Sequence, residues 1–176
     1  VSCAGQRQLG LRHRAYAGPR PWTARLTRDA DIGQSRSKHD MRLAVFNYPL
    51  EGWLDAVVMN LLMGRAVTVQ LGELSQVSYQ PLAEAFRSIA PIEQRHSELA
   101  EEGLTQLVEN GETAQAQEAV DYWWPRVAAS FGSQTSEKFD GLRAMGLRHG
   151  TNAELHDRWA ADAGAILGKL GLTSGN

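Results

Sequence analysis

The run "WLDAVVMNLLMGRAVTVQL", residues 53–71, constrains this chain more than any other stretch. Wound as a helix it is apolar around most of its circumference, so it does not suit a surface position with one face in water. Asp55, Asn60 and Arg65 interrupt the run. They argue for a helix buried among other helices rather than for a bilayer span. A helix of this kind needs several partners to enclose it.

The downstream sequence supplies them. After "FNYPLEGW" the first helix is expected over about 50–76. "SYQPLAEAF" reads as the start of a second, with Ser78 near the cap and Pro81 in the first turn. Asn110 and Gly111 should stop it. A third helix is expected over 113–131 with Gly132 ending it, a fourth over roughly 135–147, and a fifth from "TNAELHDRW" to about 170, capped by Thr151 or Asn152. No segment alternates with the period of a strand. The expected fold class is all-α.

Charge divides the chain near residue 42. Residues 1–42 hold nine Lys/Arg against three Asp and contain no Glu; residues 43–176 hold nine Lys/Arg against seventeen acids. The first segment keeps neither helical nor strand period and is read as an irregular basic segment, extended or disordered, with one short helix near 6–16. It is a tail or an arm for an acidic partner. Residues 43–176 form the helical domain. A chain of 176 residues, 43% hydrophobic and with a net charge of −2, suits one soluble core. Nothing in that balance calls for nucleic acid or a membrane. The single cysteine, Cys3, excludes an internal disulfide and a cysteine-based zinc site, and a reducing cytoplasm is the natural compartment. The N-terminus lacks the apolar core of a secretory signal, and its Val start is read as truncation rather than processing.

"IAPIEQRHSELAEEGL" places Glu93 and His96 three apart in the second helix. Glu-x-x-His is the spacing by which one helix offers two ligands to a carboxylate-bridged di-iron site. Leu82, Phe86, Ile89, Glu93, His96, Ala100, Gly103 and Leu107 follow at steps of three or four, so the pair is expected on the inward face. A buried carboxylate needs a metal, an arginine or a proton, and the spacing alone fits a hydrogen-bonded pair as well as a metal. Pro91 is expected to kink the helix beside them. Trp123 and Trp124 read as aromatics wedging helices together, with Pro125 kinking the third helix. The other reading is a pocket wall or interface anchor. His149 and His156 read as solvated. Neither a nucleophile elbow nor a phosphate loop is present.

From about Phe46 onward the chain resembles the phenylacetic acid catabolic family of ferritin-like proteins. The stretches that carry the likeness are "VFNYPLEGWLDAVVMNLLMGRA", "SYQPLAEAF" leading to "EQRH", "DYWWPRVAASFG" and "GLRHGTNAEL…LGKLGL". The family includes oxygenase subunits of phenylacetyl-CoA epoxidase and, more distantly, benzoyl-CoA epoxidase. The resemblance implies a helical bundle whose catalytic members hold two irons and insert one oxygen atom of dioxygen into the ring of an aromatic acyl-CoA thioester. The partners it implies are a reductase component and a related structural subunit. Homo- or hetero-oligomers are expected.

Carried over position by position, Glu93 and His96 match the family's second Glu-x-x-His and are the expected metal ligands. The carboxylate that catalytic relatives carry 29 positions earlier falls on Gly64 here. Asn60 shares that face but is a weak iron ligand, and Glu73 should point away. The upstream Glu and first Glu-x-x-His have no counterpart in residues 1–42, leaving two of six expected ligands. Either the chain is a ferritin-like bundle made partial by loss of its first helices, or packing or a salt bridge, for instance Arg65 to Glu93, has replaced the metal. The two are compatible. The expected role is an epoxidase-type subunit with an incomplete metal site. The alternatives are a non-catalytic subunit that docks a partner through exposed helix faces, or an unrelated single-metal or metal-free protein that keeps the fold. An open bundle should present apolar surface to a partner or to a second copy.

Overall fold

The computed structural model describes residues 26–33, 43–134 and 136–175. The short helix expected near 6–16 lies outside them. Five α-helices follow in order: α1 (Trp53–Leu74), α2 (Gln80–Glu109), α3 (Thr113–Ala128), α4 (Phe139–Ala144) and α5 (Asn152–Lys169). Single 3-10 turns precede α1 and follow α3. No strand occurs among the described residues. The protein is an all-α helical bundle.

α1 is the axis of the bundle. Val57, Val58, Met59, Leu61, Leu62, Met63 and Ala66 are all buried, as a helix apolar on nearly every side requires. α2, α3 and α5 pack around it. By length and composition α1 would reach across a bilayer, yet half of its most apolar window is buried against the rest of the bundle. It serves here as a core helix.

Two of these partners, α3 and α5, are each fastened by a large residue with a polar tip. Trp123 of α3 and Trp159 of α5 have no exposed surface. The Trp123 indole N–H donates to Asp55 on α1 at 2.7 Å, and that of Trp159 to the Leu62 carbonyl of α1 at 3.0 Å. Trp124 stacks on Trp159 with centroids 4.5 Å apart. The tryptophan pair therefore wedges helices together, in line with the packing role read from the sequence. Pro125 does not end α3, which runs on to Ala128 before a 3-10 turn.

α2 lies antiparallel against α1, since Gly64 meets Ser97 while Val57, earlier in the chain, meets Gly103. The approach at Gly64 is very close. A β-carbon there would stand 2.9 Å from the Ser97 β-carbon, so only glycine permits it. α2 runs unbroken through Pro91, at the cost of the intrahelical bond that the Arg87 carbonyl would have accepted. It stops at Asn110 and Gly111, whose φ of 92° suits glycine. α4 is shorter than the 135–147 expected. α5 begins as read: the Thr151 hydroxyl accepts from the Glu154 N–H at 3.1 Å, and the Glu154 carboxylate accepts from the Thr151 N–H at 2.7 Å, a reciprocal capping box.

Part of the basic N-terminal segment is ordered against the helices. Residues 26–33 cross the start of α1, tied by the Leu26 N–H to the Asn47 carbonyl at 2.9 Å. Arg28 forks onto Asp55 at 2.7 and 2.9 Å and lies over the Tyr122 ring at 3.7 Å. Arg126 covers the same ring at 3.6 Å and donates to the carbonyls of Tyr122 and Arg28. Residues 26–33 hold no helix or strand, and they form a strap fastened to the buried carboxylate of Asp55.

Candidate functional site: a groove between the first two helices

One groove on the α1–α2 pair is lined by these two helices and by Phe46 of the preceding 3-10 turn. Trp53, Asn60, Gly64 and Val67 of α1 face Glu93, His96 and Leu99 of α2 across an open groove of about 470 Å³, with Phe46 at one end. The small residues Gly64, Ala100 and Gly103 let its floor lie low.

The structure brings Glu93 and His96 together but not into the core. Nδ1 of His96 lies 3.6 Å from the Glu93 carboxylate, and the His96 and Glu93 side chains are 63% and 36% exposed respectively. The expectation that both are interior is corrected. α2 instead buries Ala83, Ser97, Ala100 and Leu104. Ser97 sits one position beyond His96, about 100° round the helix, and its small side chain is what the close crossing at Gly64 accepts. Packing distance, not hydrophobicity, selects the inward face, which leaves Leu82 and Ile89 of the expected stripe exposed.

Arg65 does not neutralise Glu93. It pairs with Glu101 and lies 3.7 Å from Asp162 on α5. Glu73 points away from the groove, as expected, and is buried. Its carboxylate accepts from the backbone N–H groups of His149 and Gly150 and so holds the loop before α5. His149 is exposed, as read, whereas His156 is half-buried. The His149 ring contacts the Gln76 carbonyl at 3.0 Å, and His156 packs against Phe131 and Trp159.

Sequence reasoning misses Asp55 as a centre. Burial alone would push its carboxyl up. The Arg28 fork, the Glu51 N–H and the Trp123 indole N–H overcome that and hold it below the usual carboxylate range. The only signal in the sequence is an acid at the start of an otherwise apolar helix. Its partner Arg28, 27 residues upstream, carries none.

The profile of the family described as phenylacetic acid catabolic protein matches residues 5–175. The chain belongs to this family. Among similar proteins is a 1,2-phenylacetyl-CoA epoxidase subunit of Escherichia coli strain K12, 28% identical over 135 residues. That match covers 74% of this chain and 43% of the relative, so the chain spans a little under half of the length of the relative it matches.

The family's expected di-iron centre can be tested against the groove. Glu93 and His96 supply two donors. Opposite them stands Gly64, where any side chain meets Ser97. Among the described residues no three His, Cys, Asp or Glu side chains are grouped to hold a metal. The donors present do not fit a di-iron centre, which needs carboxylates and imidazoles from four helices.

Proposed function

We propose that this chain is a subunit of a phenylacetyl-CoA epoxidase-type system, with a ferritin-like bundle, and that it does not itself carry the oxygen chemistry. Family membership and the likeness to an epoxidase subunit support the system. The closed Gly64–Ser97 crossing opposite Glu93 and His96 supports the non-catalytic role. In this reading the chain works in the cytoplasm beside a reductase component and a related subunit, and the assembly acts on an aromatic acyl-CoA thioester.

Metal content tests the role. Chain produced with excess iron and desalted should carry well under one iron per chain. About two per chain would overturn the proposal and restore a catalytic subunit, the reading favoured by the 3.6 Å approach of His96 to Glu93. Gly64→Asp alone should not raise the iron content, because its β-carbon is blocked by Ser97 and no third His, Cys, Asp or Glu joins Glu93 and His96 among the described residues.

A further inference from the structure

Arg28 is held as a ligand is held. Nη1 and Nη2 fork onto the Asp55 carboxylate at 2.7 and 2.9 Å, and Nη1 also donates to the Pro49 carbonyl at 3.3 Å. Nε lies 3.3 Å from the Glu51 carboxylate. The central carbon sits 3.7 Å over the centre of the Tyr122 ring. All three guanidinium nitrogens are therefore met and an aromatic face is covered. A planar guanidinium fills that pattern, and a compact ammonium does not.

The cradle is built by groups that do not depend on this side chain. The Asp55 carboxylate also accepts from the Glu51 N–H at 2.8 Å and from the Trp123 indole N–H at 2.7 Å. Trp123 is fully buried, and its ring meets Tyr122 edge-on with centroids 5.0 Å apart. The strap backbone has fastenings of its own. The Arg28 carbonyl accepts from the Tyr122 hydroxyl at 3.0 Å and from Arg126 at 3.3 Å, and the Asp31 carbonyl accepts from the Tyr48 hydroxyl. None of these bonds uses the Arg28 side chain. Cutting it back removes a cation from a site where Asp55 is buried and Glu51 adds a second negative charge, against the cation of Arg126 on the same ring. A buried carboxylate left without its partner favours uptake of another cation. Arg28 and Asp55 both line a cavity of about 560 Å³, with Trp53, Glu112 and Glu118, which gives a small ion room.

We propose that Asp55, Glu51, the Pro49 carbonyl and Tyr122 form a receptor for an alkylguanidinium ion, filled in cis by Arg28 and able to take a free one once that side chain is cut back. The strap is then an intramolecular ligand, and the fork and the stacked plane select guanidinium over ammonium.

Thermal melts of the full chain carrying Arg28→Ala test this, in methylguanidinium chloride against an equal concentration of methylammonium chloride. At ~50 mM salt, millimolar affinity predicts a melting temperature about 3 °C higher with methylguanidinium. The unaltered chain, whose receptor is filled, should differ by less than about 1 °C between the salts, and so should Arg28→Ala combined with Asp55→Asn. Should Arg28→Ala not fold by itself, methylguanidinium and not methylammonium should return its helical circular dichroism. Equal melting temperatures of Arg28→Ala in the two salts overturn the proposal. So does a gain that the unaltered chain shares or that survives Asp55→Asn, or an unfolded Arg28→Ala chain that neither ion restores.

Discussion

Gly64 and Ser97 are the residue pair on which the candidate site turns. Gly64→Ala gains helix propensity of about 1 kcal/mol but forces an approach of 2.9 Å to the Ser97 β-carbon, and overpacking of that kind costs about 1–3 kcal/mol. A net loss of about 1 kcal/mol is expected from urea midpoints, reversed to a gain when Ser97→Gly is present. Equal effects in both backgrounds would refute the coupling. Ser97 also carries a buried hydroxyl without a hydrogen-bond partner in the structure, so the crossing is held by proximity rather than by polar contact. Asp55 gives a second prediction at this scale. Its side chain is 6% exposed and that of Arg28 28%. Arg28→Ala strands a buried carboxylate and should cost about 2 kcal/mol, below the ~3–5 of a fully buried pair because Arg28 keeps some water. The folded pKa lies below the ordinary 3.8. The stabilisation is therefore complete above that value and is lost as pH falls from it through the folded pKa. Asp55→Asn should flatten the acid limb of the stability–pH curve, checked by urea melts across pH 2–6.

At the scale of elements, the helices were legible where their punctuation is local. Pro81 begins α2, Gly111 stops it, and the Thr151–Glu154 spacing announces α5; each signal lies within a few residues of what it controls. Thr151→Ala should lower stability by about 1 kcal/mol in a thermal melt, since it removes one side of the capping box. The orientation of α2 was not legible. Its apolar residues cover a broad arc, and a periodic pattern gives the centre of that arc only when the neighbour accepts any side-chain size. α1 does not, because Gly64 admits a serine and excludes a leucine. The strap of residues 26–33 was hidden for another reason. Arg28 draws its meaning from Asp55, Tyr122 and Arg126, which the sequence sets far from it. The same holds for Glu73, whose role in holding the Gly150 loop depends on a contact 77 residues away.

For the molecule as a whole, the core gathers around α1, against which Trp123 and Trp159 are fully buried. Treatment with a strong chelator should leave the melting temperature within about 2 °C, whereas a fall of 5 °C or more would reveal a structural ion. The sequence announced the all-α class and the family, since both depend on long stretches. It did not announce which face of α2 turns inward, because that depends on how closely two helices meet. The seating of Trp159 against Leu62 has a bearing on biosynthesis. The most water-averse helix leaves the ribosome well before α5, whose Trp159 shields its Leu62 carbonyl. A nascent chain halted near residue 150 should therefore be sticky, retained by chaperones and prone to clump, until α5 is released and the sheath closes.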